Sequence, residues 1–250
     1  MSKKTFKEII DLIIEDAFKR IEYAYQHQRE PSVKIPKSIN KDRETRTRLV
    51  FPRYTKCKNG KEGKTRISEQ ELRFAFVEAF NAYCENEERE DLYYSIETPT
   101  VNRYSDFSSN PRRDDKNGRS GEFDLVIFKK EIDVMKRSCL IEFKAKNANE
   151  IDHWKDILKL KAEGSDILCY FIEVLKSYDD ETKRSLKEDK FEMFLIIDDY
   201  KQYLNNGAII NVRCYALEGK SNGRKTEGIG TEINFTDENS VKRFNCGFDM

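Results

Sequence analysis

The sequence is poor in the residues that hold soft metals. Its six cysteines (Cys57, Cys84, Cys139, Cys169, Cys214 and Cys246) are scattered without a Cys-x-x-Cys pair, and there are only two histidines. This argues against a zinc site and makes reduced thiols in a cytosolic protein the default. No apolar run approaches the roughly 18 residues that a membrane span needs. The stretch MSKKTFKEIIDLIIEDAF carries charges inside its apolar part and has no small-residue cleavage site, so it does not fit a signal peptide. The chain also lacks net charge, with 46 Lys and Arg against 46 Asp and Glu. Any electrostatic footprint for nucleic acid must therefore be local. A cytoplasmic protein with no membrane partner is expected.

What is present suffices for a substantial core. Of the 250 residues, 38% are apolar and 37% charged, enough for one large domain or one domain with an extension. Thr5 can cap a helix to about Gln26, whose apolar residues (Phe6, Ile9, Ile10, Ile13, Ala17, Ile21 and Ala24) recur at three- and four-residue steps. Packing on the body of the protein explains such a stripe, and a dimer seam would use the same one. Charge then segregates. Residues 34–66 hold 12 Lys/Arg against 3 Asp/Glu, a balance of +9, and 67–99 hold 2 Lys/Arg against 9 Asp/Glu. The basic stretch suits either an arm tracking a phosphate backbone or a solvated linker.

Ser68-Glu-Gln-Glu71 fits a capping box, and Leu72, Phe76, Ala79, Phe80 and Tyr83 predict a helix from about Glu69 to Cys84. Its many aromatics suggest a central position. Residues 92–98 predict a strand ending before Pro99, and 101–121 a long polar loop with Arg112, Arg113 and Arg119 placed to touch a substrate. Further on, a helix to about Gly164, a strand or short helix at 167–175, strands at 191–197, 208–217 and 231–235, and a solvated helix at 179–190 are predicted.

The stretch that breaks local rules is 120–146. It reads as two apolar strands, the first headed by Asp124 and the second interrupted by Glu142 and Lys144. Ionised groups among Leu125, Val126, Ile127, Leu140, Ile141 and Phe143 are costly without a compensating cation or partner. Residues two apart share a strand face, so Glu142 and Lys144 project together. Pairing the strands so that Asp124 adjoins Glu142 brings two carboxylates and an ammonium to one place. Two carboxylates with a carbonyl and waters suit magnesium, and a lysine beside it can stabilise a developing phosphorane. Taken singly, each piece has a plainer meaning: Glu-x-Lys as an edge ion pair, Asp124 as a turn residue.

The order helix–strand–strand–strand–helix–strand, with Asp124 followed by Glu142-x-Lys144, resembles the PD-(D/E)XK nuclease superfamily over about residues 68–175. Phe123 stands where the name-giving proline would be. The resemblance implies an α/β fold with a restriction-endonuclease-like core and mixed central sheet at 67–250. A helical and basic N-terminal extension occupies 1–66. It implies Asp124, Glu142 and Lys144 as catalytic residues and Asp124, Glu142 and the Phe143 carbonyl as metal ligands. A helix glutamate, Glu69 or Glu71, would join them, as in Holliday-junction resolvases. Glu78 is a weaker candidate, and capping alone would explain Glu69 and Glu71.

Asp156-x-x-Lys159 resembles a charged pattern that follows Glu-x-Lys in some restriction-type nucleases, with Lys159 a phosphate contact or a surface partner of Asp156. Lys146 would be a second phosphate contact. His153 reads as a helix surface residue. The implied activity is Mg²⁺-dependent hydrolysis of double-stranded DNA, with Mn²⁺ able to substitute. An endonuclease of the restriction or defence type is expected, and double-strand cutting would suit a homodimer. The alternative is a silent member of the fold that binds nucleic acid or serves in assembly.

Overall fold

The structure, a computed structural model, describes residues 4–27, 47–49, 51, 67–106, 112–145, 150–177, 208–218 and 229–234. The predicted helix at 179–190, the strand at 191–197, Lys146 and most of the basic stretch lie outside the described residues. The chain divides into two compact units, Met1–Glu90 and Asp91–Met250.

In the first unit α1 (Phe6–His27) packs on α2 (Glu69–Asn86). Thr5 and Glu8 cap α1 reciprocally: the Thr5 N–H donates to Glu8 Oε2 at 2.6 Å and the Glu8 N–H to Thr5 Oγ1 at 3.2 Å. The Thr5 N–H first, then the Thr5 hydroxyl donating to Glu8 Oε2 at 2.9 Å, hold the Glu8 carboxyl below its usual range. Ile9, Ile10, Ile13, Ala17, Ile21 and Ala24 are all buried, the stripe the spacing requires. In α2 the buried residues Leu72, Ala75, Phe76, Ala79 and Phe80 form one stripe, while Phe74 is 53% exposed. The aromatic surplus of this helix therefore does not enclose it.

The second unit is α/β, an open mixed sheet carrying α3 (Glu150–Glu163). Its strands are β1 (Leu92–Ser105), β2 (Arg112–Arg113), β3 (Arg119–Glu131), β4 (Val134–Ala145), β5 (Leu168–Ser177), β6 (Ile209–Glu218) and β7 (Ile229–Asn234), in the spatial order β2-β1-β3-β4-β5-β6-β7. β1, β3 and β4 form an antiparallel meander, β4, β5 and β6 run parallel, and β7 returns antiparallel. A parallel neighbour needs a long crossover, and α3 supplies it between β4 and β5.

The predicted loop at 101–121 is a correction. β1 runs past Pro99 to Ser105, and β3 begins at Arg119. The register slips between Pro99 and Arg103, a bulge that tolerates a residue without an N–H, and pairing resumes with Tyr104 opposite Arg119. Between β2 and β3, Asp114 Oδ1 accepts the N–H groups of Lys116 and Asn117, and its carbonyl accepts that of Gly118. A Cβ on Gly118 would lie 2.4 Å from the Asp114 carbonyl oxygen and 2.7 Å from the Tyr104 backbone, so only glycine closes this turn.

No helix among the described residues is long and apolar enough to cross a membrane.

Candidate active site

The β3–β4 register sets Leu125 opposite Ile141 and Val126 opposite Leu140, so the next rung brings Asp124 beside Glu142. There the ladder gives way to a side-chain contact, with Asp124 Oδ2 accepting the Phe143 N–H at 2.7 Å. Glu142 and Lys144 share the strand face that α3 covers. They are 1% and 6% exposed, so neither can rely on water for its charge.

The compensation comes from α3. Lys144 Nζ lies 2.5 Å from Asp156 Oδ2, Lys159 Nζ 2.9 Å from Asp156 Oδ1, and Lys159 Nζ 2.5 Å from Glu142 Oε1. The four groups, two of each sign, thus form a chain Lys144–Asp156–Lys159–Glu142. Lys159 also donates to the Glu122 carbonyl at 2.7 Å and stands 5.7 Å from the Phe123 ring centroid. Lys144 donates to the Phe143 carbonyl at 3.4 Å.

Burial, then the charges of Asp156 and Asp124, push the Glu142 carboxyl well above its usual range, against the pull of Lys159 and Lys144. For Asp156 burial pushes the same way, but Lys159 and Lys144 outweigh it and hold the group below the carboxylate range. Burial would lower Lys159, yet Asp156 and Glu142 raise it instead. Asp156 is the ionised centre of the set, flanked by two ammonium groups.

Beside this chain lies a second buried pair. His153 Nε2 is 3.0 Å from Glu173 Oε2, and both side chains are wholly buried. The imidazole lies against Phe171, with ring centroids 5.2 Å apart. The parallel register places Glu173 next to Lys144 and Phe171 next to Glu142. The placement of His153 on the helix surface is therefore corrected: it points inward because the sheet face beneath α3 carries charge that an apolar residue could not meet. Sequence reasoning missed Glu173, although an acid inside the apolar run 167–175 is the same signal that marked Glu142. Of the two readings of Asp156-x-x-Lys159, a phosphate contact for Lys159 or a surface pair, the surface pair is corrected: the two residues do pair, but both are buried.

The other candidates lie on other elements. Glu69 and Glu71 start α2 in the first unit. Glu71 closes the capping box, accepting the Ser68 N–H at 2.9 Å and the Ser68 hydroxyl. Glu78 stands 3.6 Å from Arg20 in the same unit. Arg112 pairs with Asp106 at 3.0 Å and Arg113 with Asp115 at 2.8 Å. Arg119 and Lys159 line one cleft of about 360 Å³, together with Ser120, Gly121, Glu122 and Lys155.

Among the described residues no three Asp, Glu, His or Cys side chains gather into a ready-made metal cage. The side chains that do adjoin, Asp124 and Glu142, offer hard oxygens, as does the Phe143 carbonyl that accepts from Lys144. They suit magnesium, an ion that keeps several waters and takes few protein ligands. The chemistry of the donor set fits the ion.

In comparisons with known proteins, no family model, no curated protein and no solved structure matches the chain.

Proposed function

We propose that the second unit carries the core of a magnesium-dependent deoxyribonuclease of the restriction-endonuclease-like type, which hydrolyses phosphodiester bonds with water. The observation that carries this reading is the meeting of Asp124, Glu142 and Lys144 where β3, β4 and α3 come together. The sequence of α2, β1, β3, β4, α3 and β5 supports it further, being the order of elements the superfamily resemblance calls for.

Asp124, Glu142 and the Phe143 carbonyl would hold the ion, which supplies a Lewis acid for the phosphoryl oxygens and a water acidified toward hydroxide. Lys144 supplies an ammonium that can donate to a phosphoryl oxygen as negative charge grows on it. Asp156 holds that ammonium from α3 and keeps its own negative charge while doing so. The closed helix-sheet layer around Glu142 excludes bulk water, which strengthens each of these interactions. Double-stranded DNA, endonucleolytic cutting in restriction or defence, Mn²⁺ as a substitute ion and a homodimer for paired cuts belong to the same proposal, as does a cytoplasmic setting.

Incubation with plasmid and linear DNA in magnesium tests the reading. Wild type should cut, and Asp124→Asn and Lys144→Ala should lose at least about a hundredfold of rate, the size of effect typical for removing one charge-stabilising group. Wild type and variants that are equally inert across substrates would overturn it.

One observation favours a second reading. Glu142 and Lys144 are already neutralised by Lys159 and Asp156, so the set is charge-balanced without any ion. A silent nucleic-acid-binding or assembly subunit would need nothing more. It would bind DNA in a salt-sensitive way without cutting, and calorimetry would detect no magnesium binding that Asp124→Asn abolishes.

A further inference from the structure

The turn of the β3–β4 hairpin breaks three local rules between Lys129 and Lys136. Ile132, 89% exposed, opens the turn with φ 55°, a left-handed conformation that hairpins usually give to glycine and that a β-branched side chain resists. Val134 and Met135 beside it are exposed as well, which makes an aliphatic cluster in water. Two rungs below the turn, Lys129 stands directly opposite Lys136, a like-charge pair that weakens a ladder. The pairing of β1 with β3 stops at the Lys129 rung, and that of β5 with β4 starts only at Cys139. Folding alone gives no reason for this combination. We propose that the hairpin is a self-association surface, on which Ile132 of one copy enters a cleft beside the hairpin of a second copy, and the reverse.

Charge selects the occupant. Glu131 and Asp133 flank Ile132 at the tip, and Lys129, Lys130 and Lys136 lie behind them. Among the described residues no ion pair joins these lysines to the two acids. Any surface that takes Ile132 must take both carboxylates with it. A nucleic-acid backbone or an anionic bilayer is disfavoured on that ground. A second hairpin laid antiparallel is favoured, because its lysines meet the acids of the first while its acids meet the first one's lysines. That reciprocity is what a two-fold contact requires. The Lys129–Lys136 rung then gains the carboxylates it lacks.

Shape supplies the other half. A cleft of about 210 Å³, lined by the aliphatic residues Val101, Leu140 and Ile167 with Arg137 and Glu163, has room for one aliphatic side chain. Val101 is 77% exposed, so the cleft opens to solvent. Arg137 pairs across the ladder with Phe128, four residues before Ile132, so knob and cleft are about 13 Å apart along the strand. Met135 lies on the same ladder face as Arg137, two residues away. A two-fold axis through the Lys130–Met135 rung, midway between, therefore seats each Ile132 in the other copy's cleft and sets the two Met135 side chains together. The patch is small beside the roughly 1,600 Å² of a standard interface, so the association is weak and concentration-dependent.

The test is sedimentation equilibrium of the full-length protein in EDTA over about 1–200 μM, at low and high salt. Wild type should dimerise, less tightly at high salt. Ile132→Gly removes the knob and suits the left-handed φ, so it should melt at or above wild type while its dimer dissociation constant rises about tenfold or more. An Ile132 that served the fold alone would not separate the two readouts. Glu131→Lys/Asp133→Lys and Lys129→Glu/Lys136→Glu should each be monomeric alone and should dimerise when mixed, since the reversed tip then meets the reversed stem.

A wild type that stays monomeric over that range would overturn the proposal. So would a dimer that Ile132→Gly leaves intact, which places the seam elsewhere, or a mixture of the charge-reversed variants that stays monomeric. Labelled duplex DNA and anionic vesicles are the competing arms. Binding of either to a monomeric wild type, abolished by Ile132→Gly, would assign the hairpin to a polyanion and overturn the second copy. The surface does not rest on the nuclease reading. A monomer that cuts DNA sinks the surface alone, and a dimer of the expected behaviour that never cuts sinks the nuclease alone.

Discussion

Lys144 Nζ and Asp156 Oδ2 stand 2.5 Å apart, a buried contact that ties the end of β4 to α3. Asp156 has Lys159 on its other oxygen at 2.9 Å, so one carboxylate serves two ammonium groups. Asp156→Asn keeps the shape and removes the charge, leaving two buried cations with one fewer acid. Breaking a buried ion pair in this way costs about 3–5 kcal/mol. Adding Lys144→Met removes one of the stranded cations and should recover part of the loss. Urea denaturation of both variants checks the prediction, and a fully stable Asp156→Asn protein would show that the set contributes nothing to stability.

Lys161 gives a pH dependence. Its side chain is fully buried and Nζ donates to the Ala208 carbonyl at 3.0 Å, while burial, opposed by Cys169, pulls its pKa from 10.5 down to about 8. Between those values the unfolded chain binds more protons than the folded one, so this residue makes stability rise with pH. Its cost is fully present below about pH 8 and is relieved by about pH 10.5. Lys161→Met has no ammonium to bury or titrate. The stability of the variant relative to wild type should fall by roughly 3 kcal/mol across that window, measured by chemical denaturation at several pH values.

The two glycines around β3 should respond differently to a methyl group. In Gly118→Ala the new Cβ meets backbone atoms at 2.4 and 2.7 Å, which cannot move without undoing the turn. A loss of about 2 kcal/mol or more is expected. In Gly121→Ala the nearest atom is Lys159 Cδ at 3.2 Å, part of a flexible stem. That variant should melt closer to wild type, and thermal unfolding of the pair makes the comparison.

His153→Ala opens a cavity and takes away the imidazole that faces Glu173 at 3.0 Å. Both effects destabilise, together by about 2–4 kcal/mol. Glu173→Gln keeps an acceptor in the same place and should cost less. If the two variants melt alike, the pair contributes packing rather than a specific hydrogen bond.

The adjacency of Asp124, Glu142 and Lys144 could be read from sequence because the rule that exposes it is local. Alternation along one strand puts Glu142 and Lys144 on one face, and a hairpin puts Asp124 beside them. The role of α3 could not be read in the same way. The spacing of Ile151, Trp154, Ile157, Leu158 and Lys161 predicts a helix but not which polar residues it turns inward. The sheet face beneath it, however, carries Glu142, Lys144 and Glu173, so the complementary helix face had to be polar. Polarity suggests a surface place for His153 and for an Asp156–Lys159 pair, an inference that fails where the facing strand is itself charged. The extension of β1 past Pro99 escaped for another reason. A proline ends a regular strand, and only the pairing with β3, distant in sequence, reveals the bulge that carries the strand on.

The ion-pair chain also links this part of the fold into one cooperative step. Asp156 and Lys159 sit one helical turn apart, and each neutralises a charge on β4. If α3 lifted away from the sheet it would strand Glu142 and Lys144 among apolar neighbours at once, so no half-docked state is stable. The backbone amides of α3 and of the inner half of β4 should therefore exchange with solvent through the same opening. They should have matching protection and matching response to denaturant, as members of a single unfolding unit.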